Sequence, residues 1–95
     1  MDITSKQRKA LSKKAHHLDP VVMVGQQGLT EGVVKAVDKA LEDHELIKVR
    51  FIDFKEGRRE ISSEMAEKTG SLLVRVIGNV AILYRENDDK ENEEK

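Results

Sequence analysis

The most constraining feature of this 95-residue chain is the segment Gly25-Gln26-Gln27-Gly28. The apolar residues 21–24 precede it, and a helix is expected to begin near Thr30. Two glycines three positions apart allow a tight turn and a close backbone approach, because neither carries a Cβ atom. The order strand, G-x-x-G, helix also favours a phosphate, since unpaired amides and the positive end of the helix dipole point toward the loop.

This segment alone leaves two interpretations open. It is either a plain strand-to-helix turn or a clamp on a nucleic-acid backbone, like the G-x-x-G loop of KH modules. Nucleotide-binding loops fit less well, because the chain has no G-x-G-x-x-G and no Gly-Lys-Ser/Thr sequence. Gly25, Gln26, Gln27, Gly28 and Thr30 are therefore the first candidate RNA-binding residues.

The composition predicts one soluble domain with an aliphatic core. Aromatic residues make up 3% of the chain, and tryptophan and cysteine are absent. Without cysteine the chain can form neither disulfides nor thiolate metal sites, which fits a reducing cytoplasm. No apolar stretch approaches the length of a membrane span, and no signal peptide is recognisable, so we expect a cytoplasmic protein.

The net charge of −1 conceals an asymmetry along the chain. Residues 86–95 carry a net charge of −4, whereas residues 1–85 carry +3. We expect one folded domain over residues 1–86, whose mildly basic character is compatible with RNA but does not require it, and a disordered acidic tail over residues 87–95. The tail either keeps the protein soluble or competes with RNA for a basic site.

Periodicity and turn residues predict seven elements in the order α-β-α-β-α-β-β. Thr4 and Gln7 form a capping box before the first helix, Asp19-Pro20 ends it, and Gly78-Asn79 suits a hairpin turn. The predicted helices span residues 5–17, 30–43 and 58–69, and the predicted strands span residues 20–24, 45–54, 72–77 and 80–85.

These elements predict a single α/β domain with a mixed four-stranded sheet. We expect the helices on one face of the sheet and a partly open, basic opposite face that carries Lys48, Arg50 and Arg75. The first strand is continuously apolar, which indicates burial on both faces.

Two groups of basic residues are further RNA-binding candidates. Lys6, Lys9, Lys13 and His17 share the side of the first helix opposite Leu11, where the alternative is an ordinary solvated face. Lys48 and Arg50 occupy consecutive outward positions of the second strand.

Other chemistry finds little support. His16 and His17 are adjacent and diverge on a helix, and no H-x-x-x-H pair exists, so we expect no metal site. His44 near a helix end is better explained by the negative end of the helix dipole than by acid–base catalysis. We expect neither a cofactor nor enzymatic activity.

Several motifs, none specific by itself, combine into a specific pattern over about residues 3–85. They are Thr4-Ser5-Lys6-Gln7-Arg8, Ala15-His16-His17-Leu18 with Pro20-Val21-Val22, Gly25-x-x-Gly28-Leu29-Thr30-Glu31-Gly32-Val33, Ala40-Leu41-Glu42-Asp43-His44-Glu45-Leu46-Ile47-Lys48-Val49, and Val76-Ile77-Gly78 followed by Leu83-Tyr84-Arg85. This pattern resembles the YhbY group, the stand-alone bacterial members of the CRM domain family (chloroplast RNA splicing and ribosome maturation domain).

The resemblance implies an RNA-binding module that associates with structured rRNA in precursors of the large ribosomal subunit. It also implies a fold like the C-terminal domain of bacterial translation initiation factor three. Two features depart from the family: many members carry a lysine where this loop has Gln26 and Gln27, and a basic extension is common where this tail is acidic.

We therefore expect a monomeric RNA-binding protein with no membrane or small-molecule partner. The alternative is a non-catalytic protein-interaction or assembly factor that does not contact RNA. Salt dependence discriminates between them, because phosphate contacts release counterions and weaken steeply with salt.

Overall fold

The computed structural model describes residues 3–52 and 57–86. The seven predicted elements occur in the predicted order. The helices are α1 (Ser5–Ala15), α2 (Glu31–His44) and α3 (Arg58–Thr69), and the strands are β1 (Pro20–Val24), β2 (Leu46–Phe51), β3 (Leu72–Ile77) and β4 (Val80–Tyr84). The predicted tail and the predicted end of the second strand lie outside the described residues.

The ends of α1 follow from local sequence. Thr4 Oγ1 accepts a hydrogen bond from the Gln7 amide at 3.1 Å, and the Thr4 amide donates to Gln7 Oε1 at 2.9 Å, which confirms the capping box. The helix ends at Ala15, two residues earlier than predicted. The amides of His17 and Leu18 bond to carbonyls three residues back, so the chain tightens out of the α-helix before it reaches the proline.

The sheet is mixed and four-stranded, as predicted, with the strand order β1-β2-β4-β3. β1 runs parallel to β2, and the other two pairs are antiparallel. β1 and β3 are therefore the edge strands. The β3–β4 ladder is irregular between Leu73 and Arg75, where a bulge places one extra residue in β3.

The larger core lies between one face of the sheet and the helices α2 and α3. Its fully buried side chains include Val49 and Phe51 of β2, Leu41 of α2 and Met65 of α3. Ile47, Val49 and Phe51 alternate along β2, so one face of this strand points into the core. The aliphatic core predicted from the composition is confirmed, and Phe51 is the one phenylalanine among its described residues.

The helix α1 packs on the opposite face of the sheet, so the prediction that all helices share one face is wrong for α1. Ala15 is fully buried against Val74 and Ile82, with Leu11 packed beside them. Ile82 precedes Leu83 of the larger core, and consecutive strand residues point to opposite faces. The Leu11 and Ala15 stripe needs an apolar surface, and the β3–β4 half of this face supplies it.

The strand β1 is buried on one face only, so the prediction that both of its faces are buried is wrong. Val22 and Val24 lie in the larger core, whereas Val21 and Met23 are 51% and 52% exposed. β1 is an edge strand, and the small core under α1 is built from residues of β2, β3 and β4. An apolar run therefore did not indicate two covered faces here.

Candidate nucleic-acid interface

The G-x-x-G segment forms a closed turn between β1 and α2. The Gly28 amide donates to the Gly25 carbonyl at 3.0 Å, and Gln26 and Gln27 between them are exposed. Gly28 has φ of 74°, a left-handed conformation that favours glycine, and it is buried. The turn thus presents two amide side chains to solvent.

Thr30 connects this turn to the N-terminus of α2. Its amide donates to the Gly28 carbonyl at 3.0 Å, and its Oγ1 accepts from the Val33 amide at 3.2 Å. A shallow pocket of about 390 Å³ lies beside it. Its lining comprises Gly25, Gln26, Gln27, Gly28, Thr30 and Val33. Since none of these side chains is charged, an anion here would be held by neutral donors and the helix dipole.

The predicted basic side of α1 is exposed. Lys6, Lys9 and Lys13 face solvent, and so does His17 just beyond the helix, while Leu11 is half-buried on the inner side. The His17 ring stands edge-on to the His16 ring, with centroids 5.7 Å apart. The orientation of this group is as predicted, and its contact with RNA stays a prediction.

Lys48 and Arg50 have different surroundings, although both point to the α1 side of β2. Lys48 is half-buried, and its Nζ donates to the His16 carbonyl at 3.4 Å. The negative end of the α1 dipole also stabilises a cation at this position. Arg50 is exposed and pairs with Met23 in β1 and Val80 in β4. Only Arg50 therefore lies on the open part of this face.

A basic cleft lies at the opposite edge of the sheet, between α1, β3 and the start of α3. Four cationic side chains line it: Arg8, Lys9, Arg59 and Arg75. The cleft has a volume of about 450 Å³, and its other lining residues are Ser5, Ser12, Leu73, Val74 and Val76. None of the described residues in the lining is acidic, so these four cations raise the local potential together. We call this site the β3-edge cleft.

Of the candidate RNA-binding residues predicted from the sequence, only Lys9 lines the β3-edge cleft. Arg8 and Arg59 were missed, and Arg75 was expected only on an open sheet face. Arg8 lies one turn before Ser12 on the same side of α1, and a helical wheel could have found that relation. The bulge beside Arg75 and the approach of α3 leave no comparable pattern in the sequence.

Residues 3–52 and 57–86 contain no group of three or more His, Asp or Glu side chains placed to hold a metal ion. Within the same ranges, no helix is long and apolar enough to cross a membrane.

A neutral G-x-x-G turn at one edge of a mixed sheet and a four-cation cleft at the other define a small α/β domain of the nucleic-acid-binding class. Residues 3–85 match the family model of the CRS1 / YhbY (CRM) domain. The chain belongs to this family, which confirms the resemblance seen in the sequence.

Similar proteins agree with this assignment. The chain is 42% identical to a probable RNA-binding protein of Pseudomonas aeruginosa over 92% of its own length and 85% of the relative. It is 40% identical to an RNA-binding protein of Haemophilus influenzae, covering 92% of this chain and 89% of the relative. A Staphylococcus aureus protein proposed to bind RNA has a solution structure with a TM-score of 0.80 and 37% identity, covering 90% of this chain and 91% of that one.

Proposed function

We propose that this protein binds structured RNA in precursors of the large ribosomal subunit, through the β3-edge cleft and the G-x-x-G turn. Membership of the CRM family and relatives named as RNA-binding proteins support RNA as the ligand. The observation that carries the proposal is the gathering of Arg8, Lys9, Arg59 and Arg75 around one cleft, with no acidic side chain among the described residues of its lining.

The cleft suits a phosphodiester backbone. Guanidinium groups donate paired hydrogen bonds to phosphate oxygens, and three of the four cations here are arginines. The binding face of the cleft is formed by α1 and β3, which pack together through Ala15 and Val74. A binding surface on two packed elements is held in place before the ligand arrives, which reduces the entropy lost on binding.

The G-x-x-G turn adds a second contact at the other edge of the sheet. Gln26 and Gln27 offer amide donors and acceptors, and the first amides of α2 lie behind them. Glu31 begins that helix and pairs with Lys35 at 3.6 Å, so a carboxylate shares this region with any phosphate. The turn therefore contributes position and fit more than electrostatic affinity.

Fluorescence anisotropy with a labelled fragment of large-subunit rRNA tests the proposal. If about five phosphates are contacted, the logarithm of the binding constant should fall against the logarithm of salt with a slope of about −3.5 to −4.5. A charge-matched duplex DNA of equal length should bind more weakly. A flat salt response would contradict the electrostatic contact, and equal binding of DNA would contradict RNA selectivity.

Crosslinking in cells, followed by sequencing of the attached RNA, tests the ribosomal target. The proposal expects enrichment of large-subunit rRNA and co-sedimentation of the protein, as a cytoplasmic monomer, with precursor particles. Crosslinks spread over unrelated transcripts would contradict the ribosomal target while leaving RNA binding intact.

One observation favours the alternative, a protein-interaction factor. A hollow of about 450 Å³ lies at the far end of α1 and includes the exposed side chains of Leu18 and Val21. It is lined by Lys14, Leu18, Asp19, Val21, His44, Leu46 and Ile47. An apolar contact here would depend little on salt, so Leu18→Ser should disturb a protein complex without changing RNA affinity.

A further inference from the structure

Four paired residues form a row across the whole sheet. Met23 of β1 pairs with Arg50 of β2, Arg50 pairs with Val80 of β4, and Val80 pairs with Ile77 of β3. Directly paired residues point to the same side of a sheet. We call Met23, Arg50, Val80 and Ile77 the cross-strand row.

Three of the four side chains in the cross-strand row are exposed, although α1 packs on the same face, and Val80 is half-buried. Its neighbours in the strands, such as Val24 and Val49, are buried in the core under α2 and α3, so the row points to the α1 side. Met23 and Ile77 are each 52% exposed and Arg50 is exposed. The helix packs instead on Val74 and Ile82. Because apolar side chains in water cost free energy, such a strip indicates a binding surface.

The row joins the two anion-binding features of the proposed interface. Met23 is two residues before the G-x-x-G turn. Ile77 is next in sequence to Val76, which lines the β3-edge cleft. Adjacent strands lie about 4.8 Å apart, so the row spans about 14 Å from edge to edge. The row is thus apolar at three of its four positions, with the Arg50 guanidinium at the fourth and the proposed anion-binding groups beyond both ends.

These properties favour a ligand with a charged backbone and flat apolar faces. We infer that an unpaired RNA segment crosses the sheet along the cross-strand row, with its bases against Met23, Val80 and Ile77. This inference rests on the proposed RNA-binding function. The Arg50 guanidinium stacks on a base or pairs with a phosphate. In a paired helix the base faces are covered by neighbouring bases, so a duplex cannot make these contacts.

The aliphatic character of the row sets the expected selectivity. Phe51 is fully buried in the core under α2 and α3, and Tyr84 packs in the core under α1, so neither supplies a stacking ring to the row. Binding would depend on base area and not on base identity. The protein should therefore prefer unpaired over paired RNA while discriminating weakly among sequences.

The test compares two RNAs that carry the same number of phosphates: a hairpin with a long unpaired loop and a fully paired duplex. The unmodified protein should bind the hairpin several-fold more tightly. Met23→Ser with Ile77→Ser should remove most of that preference and leave the salt slope unchanged, because no phosphate contact is lost. Val21→Ser is the control, since Val21 lies on the same strand as Met23 with nearly the same exposure but outside the row.

Methyl NMR of the unmodified protein supplies a readout that does not depend on variants. The Met23 methyl signal should shift on addition of the hairpin and not of the duplex, while the fully buried Met65 serves as an internal reference. Equal affinities for the two RNAs, or a Met23 signal unmoved by the hairpin, would overturn the inference and leave RNA binding intact. Absence of binding to both RNAs at low salt would overturn the proposed function and this inference with it.

Discussion

Arg85 Nη1 lies 2.6 Å from Asp38 Oδ1 and 2.7 Å from the Thr69 carbonyl, so one guanidinium joins the end of β4 to α2 and α3. Its Nη2 donates to the Asp38 carbonyl at 3.0 Å. The side chain is three-quarters buried. This arginine holds the fold together, which separates it from the arginines that line the β3-edge cleft.

Arg85→Ala should therefore reduce stability and leave RNA recognition unchanged. Three hydrogen bonds are lost, but Asp38 is more than half exposed, so we expect a loss of about 1–2 kcal/mol in the free energy of unfolding. Urea denaturation measures this change, and anisotropy at a temperature where the variant is folded measures affinity. An unchanged unfolding midpoint would show that the contacts of Arg85 do not stabilise the fold.

For Arg59 and Arg75, which line the β3-edge cleft, we expect substitutions to change RNA affinity and not stability. Changing both to glutamine should weaken RNA binding and flatten the salt slope by about 0.7–0.9 for each phosphate contact removed. Lys39→Gln with Lys68→Gln is a charge-matched control on α2 and α3, outside the cleft lining. If the control pair lowers affinity as much as the cleft pair, net charge and not the cleft governs binding.

The G-x-x-G turn is tested by Gln26→Asp with Gln27→Asp. Carboxylates at these exposed positions would repel phosphate, so RNA affinity should fall, while stability should stay within about 0.5 kcal/mol of the original. Asparagine at both positions is the neutral control, because it keeps the amide and removes one methylene. Unchanged affinity with unchanged melting would show that the segment is only a turn.

Gly28 tests the backbone of the same turn. Its φ of 74° is costly for any residue with a Cβ, so Gly28→Ala should destabilise the protein by about 1 kcal/mol or more. Gly25 is the matched control, since its φ is not in the left-handed region and a Cβ there would meet no atom within 4 Å. Equal melting temperatures for both alanine variants would contradict the strained geometry of Gly28.

The exposed lysines of α1 and its inner leucine separate binding from packing. Lys6, Lys9 and Lys13 changed together to glutamine should lower affinity and flatten the salt slope. Leu11→Ala should instead lower the free energy of unfolding. Replacing a fully buried leucine by alanine costs about 2–5 kcal/mol, and the loss here should be smaller because Leu11 is half-buried. Normal RNA binding by the triple variant would assign these lysines to a solvated face.

The sequence by itself determined the elements and several of their ends. Thr4 and Gln7 cap α1, Thr30 caps α2, and Gly70 ends α3 with φ of 62°. Gly78 takes the positive φ needed in the β3–β4 turn. These features depend on interactions within a few residues, which a sequence states directly. The motifs also sufficed to recognise the family. The likeness of its fold to the C-terminal domain of translation initiation factor three stays a prediction.

Only the tertiary structure decided which surfaces are open and which cations lie together. Leu11 and Ala15 predict an apolar stripe on α1 but not the face of the sheet that covers it. Arg8, Arg59 and Arg75 are far apart in the chain and meet because the strand order puts β3 at an edge. Such contacts depend on strand order, the bulge in β3 and helix docking, which are set by the free energy of the whole packed chain and not by any local pattern.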